Sequence, residues 1–306
     1  MSSSVQAADA LVAAHRAQPV EYMQRRRSAR IVRALRAYPL GVLGGAILVL
    51  MILAAVFAER LTAYDPVRSD LLAILQPPGP KHLLGTDGFG RDVFTRIVYG
   101  ARTALIVGLS GSAVAATLGA AIGVTTAYFG GMVDLVVERF SEILLAFPLV
   151  VLALALVAAF GGGGLLSVIL AVIVVSVPRV ARVVRSSALS VRELPFVEAA
   201  RALGAGHVEI MFRHILPNVL APYLIMLTAL LGQAILLESS LSFLGLGVSE
   251  PTAAWGLMLR GSATQFAERA PWLAIAPGAA ISLAVFAFNF VGDALRDALD
   301  PRLRVS

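Results

Sequence analysis

Cysteine is absent from the 306 residues, and with it disulfides, thiolate-bound zinc and thiol catalysis. Lysine is almost absent: Lys81 is the only one, and His82 follows it. A phosphate-cradling loop needs Gly-Lys-Ser/Thr, so that backbone amides and an ammonium surround the phosphates. ATP hydrolysis by that device is excluded for this chain. Charge of either sign is scarce, at 14% of residues, where soluble domains carry about a quarter. What stands in its place is 58% hydrophobic residues and a mean hydropathy of +0.83. This is the composition of an integral membrane protein, and its compartment has to be read from topology.

The net charge is +6, a sign that would suit nucleic acid. Its distribution points elsewhere. Arg16, Arg25, Arg26, Arg27, Arg30, Arg33 and Arg36 all precede the first apolar run, with no aromatic interleaved from Arg25 to Arg36. That is a cytoplasmic flank under the positive-inside rule, so lipid is the expected partner and nucleic acid is not.

A crossing helix needs about 20 apolar residues. Six stretches qualify, roughly 39–58, 103–129, 142–160, 164–186, 216–240 and 272–292. The first has too long an apolar core and upstream tail for a signal peptide ending at Ala58, and reads as an uncleaved span. With both termini inside, the cytoplasmic segments carry seventeen Arg/Lys and the outer ones eight, which supports that orientation. Gly108, Ser112, Gly119, Gly123 and Ala127 space small residues along span two, as close helix packing in lipid requires. Gly161 to Gly164 form an outer turn, and no repeat of fixed period is visible.

The polar run 198–218, EAARALGAGHVEIMFRHILPN, interrupts this pattern on the cytoplasmic side. Pro195 suits the first turn of a helix. Phe196, Ala200 and Leu203 share one face, with Glu198 and Arg201 at i,i+3 on another. Gly204 and Gly206 end that helix. A second carries Val208, Met211, Phe212, Ile215 and Leu216 as an apolar stripe, with Glu209 and Arg213 paired at i,i+4 opposite, until Pro217. The residues alone leave two readings open: an amphipathic helix lying in the interface, or a docking knob for a cytoplasmic partner.

Glu198-Ala199-Ala200, Gly204 and Leu216-Pro217 resemble the EAA loop of binding-protein-dependent ABC importer permeases, although His214 stands where that pattern has Ile. Residues 82–105, 238–259 and 288–301 are similar to the C-type permeases of dipeptide, oligopeptide and nickel importers. Where that family often has Asp before Leu-Ala-Phe-Pro, this chain has Glu142; residues 1–37 match nothing in it. The resemblance implies an all-α integral membrane protein of six transmembrane helices, with the type I importer permease (MetI-like) fold. It implies a non-catalytic subunit that binds no cofactor, with ATP and magnesium held by two partner ATPase subunits. It further implies a sister permease, forming a heterodimer, and an extracytoplasmic substrate-binding protein. The loop residues Glu198, Ala199, Ala200, Arg201, Gly204, Leu216 and Pro217 are then the ATPase-coupling element. Peptides are the expected cargo, with nickel, glutathione or another small solute as alternatives. The expected organisation is a cytoplasmic tail 1–37, a first helix and outer segment 38–102, a transporter domain 103–293 with coupling helices at about 195–216, and a cytoplasmic tail 294–306.

An ion-coupled secondary transporter would want midplane acids and broken helices in two related halves. Spans one to four hold no midplane acid, and no halves correspond. The spans also hold no metal cluster, nucleophile elbow or carboxylate pair for a membrane enzyme. Glu238, near the outer end of span five, is a candidate for the translocation path, or else a helix-end acid bonded to Ser239, Ser240 or Ser242. Asp87 is expected to cap a short outer helix carrying Val93, Phe94, Ile97 and Val98. His207 and His214 are seven apart, without the i,i+4 spacing of a helical metal site.

Overall fold

The computed structural model describes residues 38–266 and 268–299, and of 261–265 the backbone alone. The arginine-rich tail 1–37 and the arginines at 302 and 304 therefore lie outside the described residues. Those described contain helices, turns and one isolated β-bridge, Thr86 to Asp92.

Helix α1, Pro39–Val56, starts with proline at its first position, where a missing amide costs nothing. A long irregular segment leads to α2, Val93–Phe129. Asp92 caps α2: its Oδ1 accepts from Thr95 N at 2.7 Å. This corrects the expectation for Asp87, whose Oδ1 instead accepts from Phe89 N and Arg91 N at 2.8 and 2.9 Å and closes the preceding turn. Nor is there a separate outer helix. Val93, Phe94, Ile97 and Val98 form the first two turns of α2, which runs on for 37 residues. The organisational boundary expected at 102/103 falls inside it. No proline interrupts it, and Gly100 stays helical because its bare backbone lets the Trp255 ring close in; a Cβ there would lie 2.5 Å from Trp255 Cδ1.

Helices α3, Gly131–Ala146, and α4, Leu149–Ala159, meet at a bend of 100°. The expected straight span 142–160 is corrected here. Pro148 has no amide to donate and pushes Phe147 out of helical geometry, to ψ 143°. Helix α5, Leu165–Arg192, returns; α6, Pro195–Ala202, and a wound turn over 207–219 lead into α7, Leu220–Phe243. Helix α8, Trp255–Gln265, has no counterpart among the expected elements, and α9, Trp272–Leu299, continues past the boundary expected at 294. Among the described residues five helical stretches are long and apolar enough to cross a bilayer, and six if the bent pair is one broken span.

The most extensive helix contact joins α2 to α5. A Cβ on Gly119 would lie 2.6 Å from Val180 Cβ, and one on Gly123 would lie 2.5 Å from Ala181 O. With Ser112 and Ala127 fully buried beside them, the small residues of span two sit in helix contacts. The side of α1 bearing Leu43, Leu50 and Val56 is exposed, as lipid-facing surface is.

Candidate functional site

The 195–219 region is built on the junction of α2 and α5. Val197 and Ala200 from α6, with Ile210, Met211, Ile215 and Val219 from the following turns, are buried against Val124, Ala127, Val180 and Val184. Two polar contacts fix the attachment. Arg192 Nη1 donates to Ala127 O at 2.7 Å, placing a cation on the carbonyl end of α2, where the helix dipole favours it. Tyr128 Oη and His207 Nδ1 are 2.7 Å apart. His207 is thus spent on Tyr128, while His214 lies beside the Phe196 ring at 6.3 Å.

The expected apolar face is divided. Ala200 points inward at 9% exposure, but Phe196 and Leu203 point outward at 41% and 88%. In the second helix Met211 and Ile215 are buried, while Val208 and Phe212 are 64% and 62% exposed. The region has enough apolar side chains to cover its own core and leave four outside. Glu198, Ala199 and Arg201 are exposed with them. No ion pair joins Glu198 to Arg201, whose guanidinium lies 6.0 Å from the Tyr128 ring centre. Glu209 and Arg213 do pair, at 3.2 Å.

Gly204 has φ +85°, which only glycine takes without strain, and Leu203 N and Ala205 N donate back to Ala199 O and Ala200 O to close the helix end. Residues Ile210–Ile215 form a π-turn and Leu216–Val219 a 3₁₀ turn. Pro217 explains the tightening, since it cannot donate; Asn218 Nδ2 reaches His214 O at 2.7 Å instead. Leu216 is half-buried on the wall of a cavity of about 320 Å³, shared with Thr117, Val124, Phe212 and Tyr223.

Glu238 lies elsewhere, 1% exposed in α7. Its Oε1 accepts from Ser242 Oγ at 2.7 Å and its Oε2 from Ser239 Oγ at 3.3 Å; Ser242 Oγ in turn accepts from Val248 N at 3.1 Å. The carboxylate is turned into the chain and pins the turn that follows α7. Serine partners were foreseeable from the spacing; burial was not.

At the Asp92 end of the molecule, Arg91 Nε donates to Asp87 Oδ2 at 2.7 Å and Nη1 to Glu250 Oε2 at 2.6 Å. Burial works against this charge, but the hydrogen bonds and charges of Glu250 and Asp87 outweigh it and hold the guanidinium above its ordinary pKa. Arg96, 1% exposed, donates to Pro66 O at 2.9 Å and to Pro251 O at 3.4 Å. These groups line a cavity of about 360 Å³. Among the described residues no group of three His, Asp or Glu could hold a metal.

A helical membrane subunit with a compact, self-anchored knob now has relatives to be set beside. Residues 115–305 match the family model of the binding-protein-dependent transport system inner membrane component. The chain belongs to that family. Residues 27–78 of the permease also match the N-terminal transmembrane domain of oligopeptide transport permease C, which corrects the expectation that nothing within residues 1–37 matches the family. The permease is 43% identical over 272 residues to a dipeptide transport system permease protein, DppC, of Alkalihalophilus pseudofirmus, covering 89% of each chain. It is 39% identical over 273 residues to the glutathione transport system permease protein GsiD of Pectobacterium atrosepticum, covering 89% of this chain and 90% of that one. An inward-facing structure of the MetNI methionine ABC transporter shares its fold, with a TM-score of 0.53 at 19% identity over 67% of this chain and 96% of that one. The permease is thus a multi-pass protein of the inner membrane with the MetI-like fold.

Proposed function

We propose that this permease forms half of the path through which an ATP-driven importer moves peptides. The other half is a sister permease, two ATPase subunits bind ATP and magnesium, and an extracytoplasmic receptor delivers the cargo. The peptide reading rests on the names of its relatives. The glutathione permeases among them favour a second reading, in which the cargo is glutathione, itself a short peptide.

Coupling is assigned to Glu198, Ala199, Ala200, Arg201, Gly204, Leu216 and Pro217. The observation that carries it is the exposure of Phe196, Leu203, Val208 and Phe212 around this motif. Apolar side chains grouped on a surface that faces water mark a partner site. Closure of the ATPase dimer would push on a knob whose inner side is packed against α2 and α5, and the helices would move between two arrangements biased by nucleotide.

Leu203→Asp tests this, because Leu203 is 88% exposed and supports no core. The expected result is a permease that inserts and pairs with its sister but loses receptor-stimulated ATP hydrolysis and uptake. Unchanged hydrolysis and uptake in the purified complex would reject the docking role. Orientation is tested in this cysteine-free chain by Ser69→Cys and Ser190→Cys, both at exposed positions. With cytoplasmic termini, an impermeant thiol reagent on intact cells labels the first and spares the second; the reverse pattern inverts the topology.

A further inference from the structure

Three arginines follow one another on α5 at three-residue intervals, and only two are neutralised. Arg182 Nη2 lies 3.4 Å from Glu138 Oε2, and Arg185 Nε lies 2.5 Å from Asp134 Oδ1, both acids belonging to α3. Arg179 has no acid within ion-pair distance among the described residues. Its hydrogen bond is to a neutral group: Nη1 donates to Gln233 Oε1 of α7 at 3.0 Å. Both residues stand near the middle of their helices, Arg179 in Leu165–Arg192 and Gln233 in Leu220–Phe243. At about 1.5 Å per residue, Arg179 is about 20 Å from either end of α5. Within the span expected at 164–186 it lies about 10 Å from the inner edge, and an exposed cation inside a span faces a bundle interior or a watered path rather than lipid.

The surroundings agree. Leu236 and Ser240 follow Gln233 at i+3 and i+7, on the same face of α7. They line an open cavity of about 550 Å³ together with Val150, Phe243, Gly278 and Ile281. The Arg179–Gln233 pair thus continues the α7 wall of a groove toward the Gly204 end of the molecule. Gln233 holds one corner of the guanidinium. Nε and Nη2, the edge that meets a carboxylate with two parallel hydrogen bonds, make no hydrogen bond among the described residues.

We infer that Arg179, positioned by Gln233, reads the terminal carboxylate of the peptide in the translocation path. This rests on the peptide reading above. The carboxylate is the anionic group that every free peptide carries whatever its side chains, so one fixed cation serves a varied cargo. The chemistry would equally suit an acid of the sister subunit, and the test separates the two.

The complete transporter is reconstituted with its receptor, and uptake of a dipeptide is compared with uptake of the same dipeptide amidated at its C-terminus. The ratio of the two rates is measured for the wild type, Arg179→Gln and Gln233→Glu. The receptor's own preference cancels between variants. Gln233→Glu leaves Arg179 in place and occupies it with an internal carboxylate. Both variants are expected to lower the preference for the free carboxylate at least about threefold, the coupling of groups in contact. Arg182→Gln, whose charge is spent on Glu138, is expected to keep the wild-type ratio. An unchanged ratio in either assembled variant overturns the inference. So does failure of both variants to assemble with the sister permease, which would assign Arg179 to the subunit interface. If the wild type takes up neither peptide, the peptide reading falls and this inference with it.

Discussion

Charged side chains at the Asp92 end of the permease find their partners inside the chain; apolar side chains at the Gly204 end do not. Arg91 is shared between Asp87 and Glu250, and Arg96 is held by carbonyls from residues 66 and 251. These contacts tie three distant parts of the sequence into one surface. At the other end the knob uses Val197, Ala200, Ile210 and Ile215 to attach itself and turns Leu203, Val208 and Phe212 outward. Burying a polar group without a partner is costly and leaving an apolar one exposed is much less so. The first end is therefore closed largely on itself, with Thr95 Oγ1 and Arg96 Nε the buried atoms left without a hydrogen bond, and the second leaves apolar surface that the proposed docking would cover.

The largest effect should come from breaking the closed end. Arg96→Leu removes a buried cation and leaves the carbonyls of Pro66, Pro251 and Thr252 without its hydrogen bonds, beside Glu250 and Asp87. A loss of about 1–3 kcal/mol is expected from the unsatisfied carbonyls, read as a lower melting temperature of the detergent-solubilised permease; an unshifted melt would mean that this end is not what holds the segments together. Gly204→Pro acts on the other end. Proline cannot reach φ +85° and removes the donor to Arg201 O. The helix end should be redirected, and receptor-stimulated hydrolysis should fall about tenfold, a coupling change of about 1.4 kcal/mol, while the melt moves far less than for Arg96→Leu. Equal loss of stability in both variants would erase the distinction between the ends. The smallest effect is expected for Glu209→Gln. Its pair with Arg213 is exposed on both sides, and such pairs contribute about 0.5 kcal/mol or less. A large change in the melt there would make the knob's charged side structural.

What could be read from the residues was what repeats over many positions. The apolar runs marked the crossings, and the glycine and small-residue spacing of span two marked a contact that α5 does fill at Val180 and Ala181. The EAA spacing marked the knob. What could not be read depended on a second element. Whether Phe196 or Val197 faces in is decided by where the α2–α5 junction lies, and it is Val197 and Ala200 that meet it. Glu238 was one acid among apolar residues whichever way α7 turned; the turn after α7 brings Val248 N to Ser242 and closes the site. Arg179 was within reach, because the expected span 164–186 already enclosed Arg179, Arg182 and Arg185. Counting them as cytoplasmic hid the difference between an arginine with an acid and one without. Helix α8 was missed because its hydrophobic residues serve a docking onto α2 through Trp255, whose Nε1 donates to Ile97 O at 2.9 Å.

Helix α2 has a mechanical meaning as well as a packing one. Its 37 residues make a rod about 55 Å long. One tip is cemented by the Asp92 cap and by Arg96; the other is gripped by Arg192 and by the Tyr128–His207 contact. No hinge divides it. Under the proposed docking, a push on the knob would reach the Asp92 end as a tilt or a slide of the whole shaft. Lever length then sets the gain: a few degrees of rocking about the α5 contact sweeps the far tip through several ångströms. A helix unbroken from Val93 to Phe129 is what would let the two ends move together.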